Sequence, residues 1–142
     1  MNNTQKGEIA KLRTEIRAAE KGWLSSRTVE GARYDLVLDD GEKLYRAQVK
    51  WAGSEMSHSE GSVSVELRRY CGDGRNLKYT RSKSRVYGAS EVDVVIAYIP
   101  QIDELCWFGP SMFDGKSTIT VRFQPSKNGQ KKGIVLAQDY VW

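Results

Sequence analysis

The stretch from Arg33 to Lys50 constrains the fold most. Arg33-Tyr34-Asp35-Leu36-Val37-Leu38 and Lys43-Leu44-Tyr45-Arg46-Ala47-Gln48-Val49-Lys50 both alternate polar and apolar residues. Between them lies an acidic turn sequence, Asp39-Asp40-Gly41-Glu42. Two alternating runs around a Gly-containing turn predict a β-hairpin. With Asp40-Gly41 as the turn, Asp39 is expected opposite Glu42, and Asp35 opposite Arg46. Side chains alternate along a strand. Tyr34, Leu36, Leu38, Tyr45, Ala47 and Val49 then form an apolar face. Arg33, Asp35, Arg46, Gln48 and Lys50 form a polar one. A slip of one residue would carry the charges into the core, so the pattern resists slippage.

On pattern alone, the commoner reading of the polar face is a solvated outer surface, as in any antiparallel sheet. The remaining possibility is chemical: a carboxylate, an amide and an ammonium converge on one hairpin.

A chain of 142 residues is expected to form one domain spanning 1–142 with a sizeable core. No run approaches a membrane span, and the first residues hold no apolar signal segment, so a cytoplasmic, intracellular setting is expected. Cys71 and Cys106 lack metal-ligand spacing, and a lone pair argues against a disulfide scaffold. A single histidine, His58, argues against a zinc hydrolase and reads as a solvated loop residue. The net charge is +4 and is unevenly spread. Residues 68–85 hold seven basic side chains (Arg68, Arg69, Arg75, Lys78, Arg81, Lys83, Arg85) and one acid, Asp73, leaving a mildly acidic remainder. Such a segment fits a polyanion partner: its cations would neutralise phosphates, with Tyr70 and Tyr79 available to sugars or bases. It also fits a solvated basic loop.

Taken in order, residues 5–21 predict a helix with Thr4 as N-cap, a stripe of Ile9, Leu12, Ile16 and Ala19 at helical spacing, and Gly22 as its stop. Glu8 in the first turn is explained by the helix dipole unless it has a further role. A strand is expected from Trp23, the hairpin follows, and residues 51–61 read as a loop. Ser62 to Leu67 alternates and reads as a strand. Val94-Val95-Ile96-Ala97-Tyr98 is apolar throughout, as in a strand buried on both faces and ended by Pro100. Asp93 before it is a turn cap or an acid supporting the site. Further strands are expected at Leu105 to Phe108 and Ser117 to Phe123, with a helical turn at Ser111 to Asp114. Residues 124–133 form a polar loop in which Lys127, Lys131 and Lys132 could grip a phosphate backbone. The apolar end, with Leu136, Tyr140, Val141 and Trp142, should pack on the body or at a subunit interface. One helix and a mixed sheet make an α/β domain.

Asp35 followed by Gln48-Val49-Lys50 resembles the core of the PD-(D/E)XK nuclease superfamily. There an Asp opens one strand, an acidic-X-Lys triplet lies on the next, and a glutamate on the first helix often joins them, the place Glu8 holds. Lys6-Gly7-Glu8, Arg33-Tyr34-Asp35, Gln48-Val49-Lys50, Tyr98-Ile99-Pro100 and Asn128-Gly129-Gln130-Lys131-Lys132-Gly133 together resemble the small homing-type members associated with group I introns. Gln48 departs from the superfamily's usual acid, although the intron-type branch is similar in carrying Gln. A neutral amide still offers oxygen to a hard cation but brings no charge, which shifts the load to Asp35 and Glu8.

The resemblance implies a restriction-endonuclease-like core with an N-terminal helix and a C-terminal extension. It implies a Mg²⁺-dependent endonuclease on double-stranded DNA, with Mn²⁺ as a substitute. Asp35, Gln48, Glu8 and the Val49 carbonyl would serve the metal, and Lys50 would lie by the attacked phosphate. It also implies a homodimer or homotetramer. The alternatives are a Holliday-junction resolvase on the same core and a non-catalytic nucleic-acid-binding protein.

Overall fold

The computed structural model describes residues 1–71 and 83–142, the side chains of residues 69–71 and 83–85 excepted. The elements in order are helix α1 (Asn3–Glu20), strands β1 (Leu24–Arg27), β2 (Leu36–Asp39), β3 (Leu44–Trp51), β4 (Glu55–Met56), β5 (Ser59–Glu66), β6 (Arg68–Cys71), β7 (Lys83–Val86), β8 (Val94–Ile99) and β9 (Glu104–Phe108), a helical turn α2 (Pro110–Phe113), and strands β10 (Thr118–Arg122) and β11 (Val135–Leu136). A mixed five-stranded sheet runs in the order β1-β2-β3-β8-β9, with β3 and β8 parallel. A second sheet, β11-β10-β5-β4, packs on one face of the first, and α1 covers the other.

This three-layer arrangement explains β8. Val94, Ile96 and Tyr98 enter the core under α1, while Val95, Ala97 and Ile99 enter the core between the sheets. A strand covered on both faces needs an apolar residue at every position, which is the run the sequence shows.

The helix differs from expectation in two respects. Asn2, not Thr4, is the N-cap, because Asn2 and Gln5 exchange side-chain to backbone hydrogen bonds of 2.9 Å in a capping box. The buried face is Ala10, Thr14 and Ala18, whereas Leu12 and Ile16 are exposed. Small side chains let the helix sit close to the sheet, and Thr14 satisfies its buried hydroxyl on the Ala10 carbonyl.

The hairpin forms with its faces as read but its register two residues away. Asp39 pairs with Leu44, and Val37 with Arg46. The turn is a four-residue loop rather than two. The Asp39 carboxylate accepts the Gly41 N–H, and that of Asp40 accepts the N–H groups of Glu42 and Lys43. Gly41 adopts φ 95°, open to glycine at no steric cost. A shift of two preserves which side chains share a face. Tyr34 is the exception. It lies ahead of β2, outside the ladder that would fix its direction, and packs with the core between the sheets.

Residues 51–61 are not wholly loop, since they contain β4 and the start of β5. Trp51 packs edge-on against Tyr98, and His58 is exposed. The C-terminal residues pack on the body. Trp107 donates to the Tyr140 carbonyl, and Trp142 to that of Leu105. Cys106 lies buried beside them, and burial pushes its thiol up to about 12, so it is inert at neutral pH. Arg122 at the end of β10 spends every donor on fixing nearby turns. It donates to Ser59 and Ser62 and to the carbonyls of Glu60, Gln124 and Pro125.

Candidate active site

Asp35 is the residue just before β2, and its backbone is locked from both sides. Its N–H donates to the Ala47 carbonyl at 2.9 Å, and its own carbonyl accepts from the Thr28 N–H and hydroxyl. The fixed carboxylate reaches across to β3. Oδ2 accepts Gln48 Nε2 at 2.6 Å and the Val49 N–H at 3.0 Å. The register explains this: Asp35 lies opposite Gln48, not Arg46 as the shorter turn implied. Arg46 instead binds Asp93, donating to it through its backbone N–H at 2.7 Å and its guanidinium at 3.0 Å. That guanidinium holds the Asp93 carboxyl below its ordinary value. Asp93 thus ties the start of β8 to β3.

Gln48 is 5% exposed, in the middle of a buried strand. Its Nε2 is used by Asp35 and, at 3.3 Å, by the Val49 carbonyl. Its Oε1 is buried and has no hydrogen-bond partner. A buried carbonyl oxygen left unpaired costs on the order of 1–3 kcal/mol. Beside it stands a carboxylate that makes no ion pair with any described residue. An orphaned acceptor next to an uncompensated carboxylate is a pairing that a hard cation would complete. With the Gln48 amide turned over, so that its oxygen takes the place of Nε2 at 2.6 Å from Asp35 and 3.3 Å from the Val49 carbonyl, the three residues would offer an all-oxygen donor set suited to Mg²⁺ or Mn²⁺. The protein groups therefore fit such an ion.

Lys50 follows Gln48 on the same strand face. Its ammonium donates to the Arg68 carbonyl at 3.2 Å and lies 5.1 Å from the centroid of the Tyr87 ring. The chain thus brings Asp35, Gln48 and Val49 into contact where the start of β2 meets β3, with Lys50 two residues beyond Gln48 on the same strand.

Glu8 is placed differently. Its carboxylate is engaged by Arg27 at 2.5 Å and Lys11 at 3.1 Å, and both cations hold it below its ordinary value. Lys11 and Arg27 line, with Thr28, Tyr34 and Asp35, a cleft of about 300 Å³. Glu8 therefore stands behind the cations of that cleft. Among the described residues no three His, Cys, Asp or Glu side chains gather as a metal cluster.

Of the basic residues, Arg68 and Arg69 lie on β6, and Lys83 and Arg85 on β7. These strands form an antiparallel ribbon in which Arg69 pairs with Arg85. Arg75, Lys78 and Arg81 fall outside the described residues. The ribbon begins at the carbonyl that receives the Lys50 ammonium, so the basic segment is rooted at the site. Lys127 is bound to Glu60 at 2.7 Å, while Lys131 and Lys132 are exposed.

Sequence reasoning gave no role to Tyr87 or Arg27 and did not foresee the contacts of Arg33. Arg33 donates to Glu91 and to the Val86 carbonyl, and its guanidinium lies 4.7 Å from the Tyr87 ring centroid. These contacts join residues more than fifty positions apart, and no local pattern signals them.

No curated protein matches the chain. Among solved structures, the bacterial homing endonuclease I-Ssp6803I is similar with a TM-score of 0.77 and 22% identity, over 99% of this chain and 89% of the other. A Holliday junction resolvase from Archaeoglobus fulgidus superposes with a TM-score of 0.49 and 13% identity, over 82% and 84%. The first likeness confirms the restriction-endonuclease-like fold. A family model described as PD-(D/E)XK endonuclease matches residues 1–142. With that match spanning the whole chain, and an Asp35-to-Lys50 hairpin built as described, the protein belongs to the PD-(D/E)XK endonuclease family and is a nuclease of that type.

Proposed function

We propose that this nuclease is a Mg²⁺-dependent, site-specific endonuclease of homing type that cuts double-stranded DNA. The observation that carries the reading is the buried, unpartnered Oε1 of Gln48 beside the uncompensated Asp35, two residues from Lys50. The rooted basic ribbon and the resemblance to a homing endonuclease support the substrate class.

In this reading Asp35, Gln48 and the Val49 carbonyl hold the cation. When bound, it would polarise the scissile phosphate and offset the charge that builds on it. Asp35 supplies the negative charge of the set, and the Val49 N–H keeps its carboxylate oriented. Gln48 contributes a neutral oxygen. Lys50 holds its ammonium at the attacked phosphate, where it steadies developing charge and orients the incoming water. Glu8 keeps Arg27 and Lys11 at the rim of the cleft, where their charges face a phosphate backbone, and it would stand in reserve as a further carboxylate near the cation. Arg68, Arg69, Arg75, Lys78, Arg81, Lys83 and Arg85 line the DNA strand, with Lys127, Lys131 and Lys132 as a second contact. One chain carries one such site, so cutting both strands requires at least two copies, and a homodimer or homotetramer suits a near-palindromic target.

The test is to incubate the protein with genomic and plasmid DNA libraries, with Mg²⁺, Mn²⁺ or EDTA, and to sequence new ends. Discrete cuts that require the cation, at one long site, are expected. Tight, salt-sensitive binding with no cuts in either cation would replace this reading with a non-catalytic one.

A further inference from the structure

Tyr87 has no part in the chemistry above, yet it is one of the largest side chains that are fully buried. Its ring centroid lies 5.1 Å from the Lys50 ammonium and 4.7 Å from the Arg33 guanidinium. Both fall inside the roughly 6 Å within which a cation is drawn to the face of an aromatic ring. The ring is well fixed. It packs in the core between the sheets, and its backbone carbonyl accepts the Gly115 N–H at 3.2 Å. Arg33 binds the Val86 carbonyl and Glu91 on either side of it. Arg33 is also two residues before Asp35. One guanidinium therefore ties the segment carrying Tyr87 to the segment carrying the site carboxylate.

A lysine ammonium on a four-carbon stem is otherwise mobile, with three rotatable donors. Here its restraints include the Arg68 carbonyl at 3.2 Å and the Tyr87 ring. We infer that Tyr87, anchored by Arg33, is a positioning residue that holds the Lys50 ammonium over the site next to Asp35 and Gln48. The inference rests on the reading of Lys50 as the group that serves the phosphate. A displacement of about 1 Å at a reacting group can cost about 100-fold in rate, so losing the ring should be felt in turnover more than in binding.

Two readouts test this, both on the full chain. The first needs neither metal nor DNA. The ε-methylene NMR signal of Lys50, assigned by its loss in Lys50→Arg, should lie upfield from ring current. It should stay there in Tyr87→Phe, which keeps the ring, and return to the ordinary lysine position in Tyr87→Leu. The second uses the duplex site recovered from the library cuts. Tyr87→Leu should lower the rate at saturating DNA by about 10- to 100-fold. Its Kd, measured in Ca²⁺, should change by less than about threefold, and Tyr87→Phe should recover most of the rate. An unshifted Lys50 signal in the unaltered protein overturns the inference, even if Tyr87→Leu does not fold. Full-rate cutting by Tyr87→Leu, with Lys50→Ala inactive, overturns it while leaving the role of Lys50 intact. Full-rate cutting by Lys50→Ala overturns the role of Lys50 itself, and the positioning role with it.

Discussion

Two aspartates meet β3 in nearly the same way and end in opposite states. Asp93 accepts the Arg46 backbone N–H and binds the Arg46 side chain. Asp35 accepts the Val49 backbone N–H and binds the Gln48 side chain. The first is answered by a guanidinium, so its charge is neutralised and its geometry closed. The second is answered by a neutral amide, so its charge stands uncompensated and the amide leaves an oxygen unpaired. A carboxylate already paired with arginine is structural glue. One held only by N–H groups is pre-oriented and still electrostatically incomplete. The identity of the β3 residue opposite, Arg46 or Gln48 two positions along one strand face, separates a paired carboxylate from an unpaired one.

That contrast can be broken by substitution. Asp35→Ala should reduce cleavage by roughly 1,000-fold or more while DNA binding survives, measured by single-turnover cutting and by filter binding in Ca²⁺. Asp93→Asn should leave the rate per folded molecule intact and cost stability instead. Arg46 and Asp93 are each about a third exposed, so solvent moderates the loss to about 1–2 kcal/mol in urea denaturation. The pH dependence follows from the direction of the Asp93 shift. Its folded value lies below the unfolded one, so its contribution is whole above the ordinary carboxylate value near about 3.9 and is lost as pH falls through the lower folded value. The gap between the parent protein and Asp93→Asn should therefore close in acid.

Gln48→Glu sharpens the comparison by adding the charge that the Asp35 site lacks. Mn²⁺ binding measured by calorimetry should tighten by about tenfold. The metal-free protein should lose stability, because two carboxylates then face each other in a buried setting. The smallest effect is expected at Glu8. Its pairs with Arg27 and Lys11 are exposed, and Glu8→Gln should cost only about 0.5 kcal/mol in thermal unfolding. A loss of cleavage as large as that of Asp35→Ala would instead place Glu8 among the metal ligands.

The strand faces were legible because a period of two is hard to counterfeit, and the apolar run of β8 announced its two covered sides. The register was not legible, since Asp39 and Asp40 could cap either a two- or a four-residue turn until the loop was seen. The helix face misled because Leu12 and Ile16 are the more hydrophobic residues, while close approach to the sheet favoured Ala10, Thr14 and Ala18. At the site, the chain order of Asp35, Gln48 and Lys50 pointed to their meeting. The proposed restraint on Lys50 did not show. Tyr87 lies thirty-seven positions beyond Lys50, and Arg33 entered only as a charge on the polar face and as part of the Arg33-Tyr34-Asp35 stretch.

Arg122 carries a consequence for how such a protein can change. Three of its partners are the main-chain carbonyls of Glu60, Gln124 and Pro125. A carbonyl is present whatever the side chain, so the root of the 124–133 loop is specified by Arg122 and two serines and is indifferent to the residues farther along. The loop is thus a cassette on a fixed mount. Substitutions at its outer residues should therefore leave the Arg122 mount, and the body beneath it, unchanged.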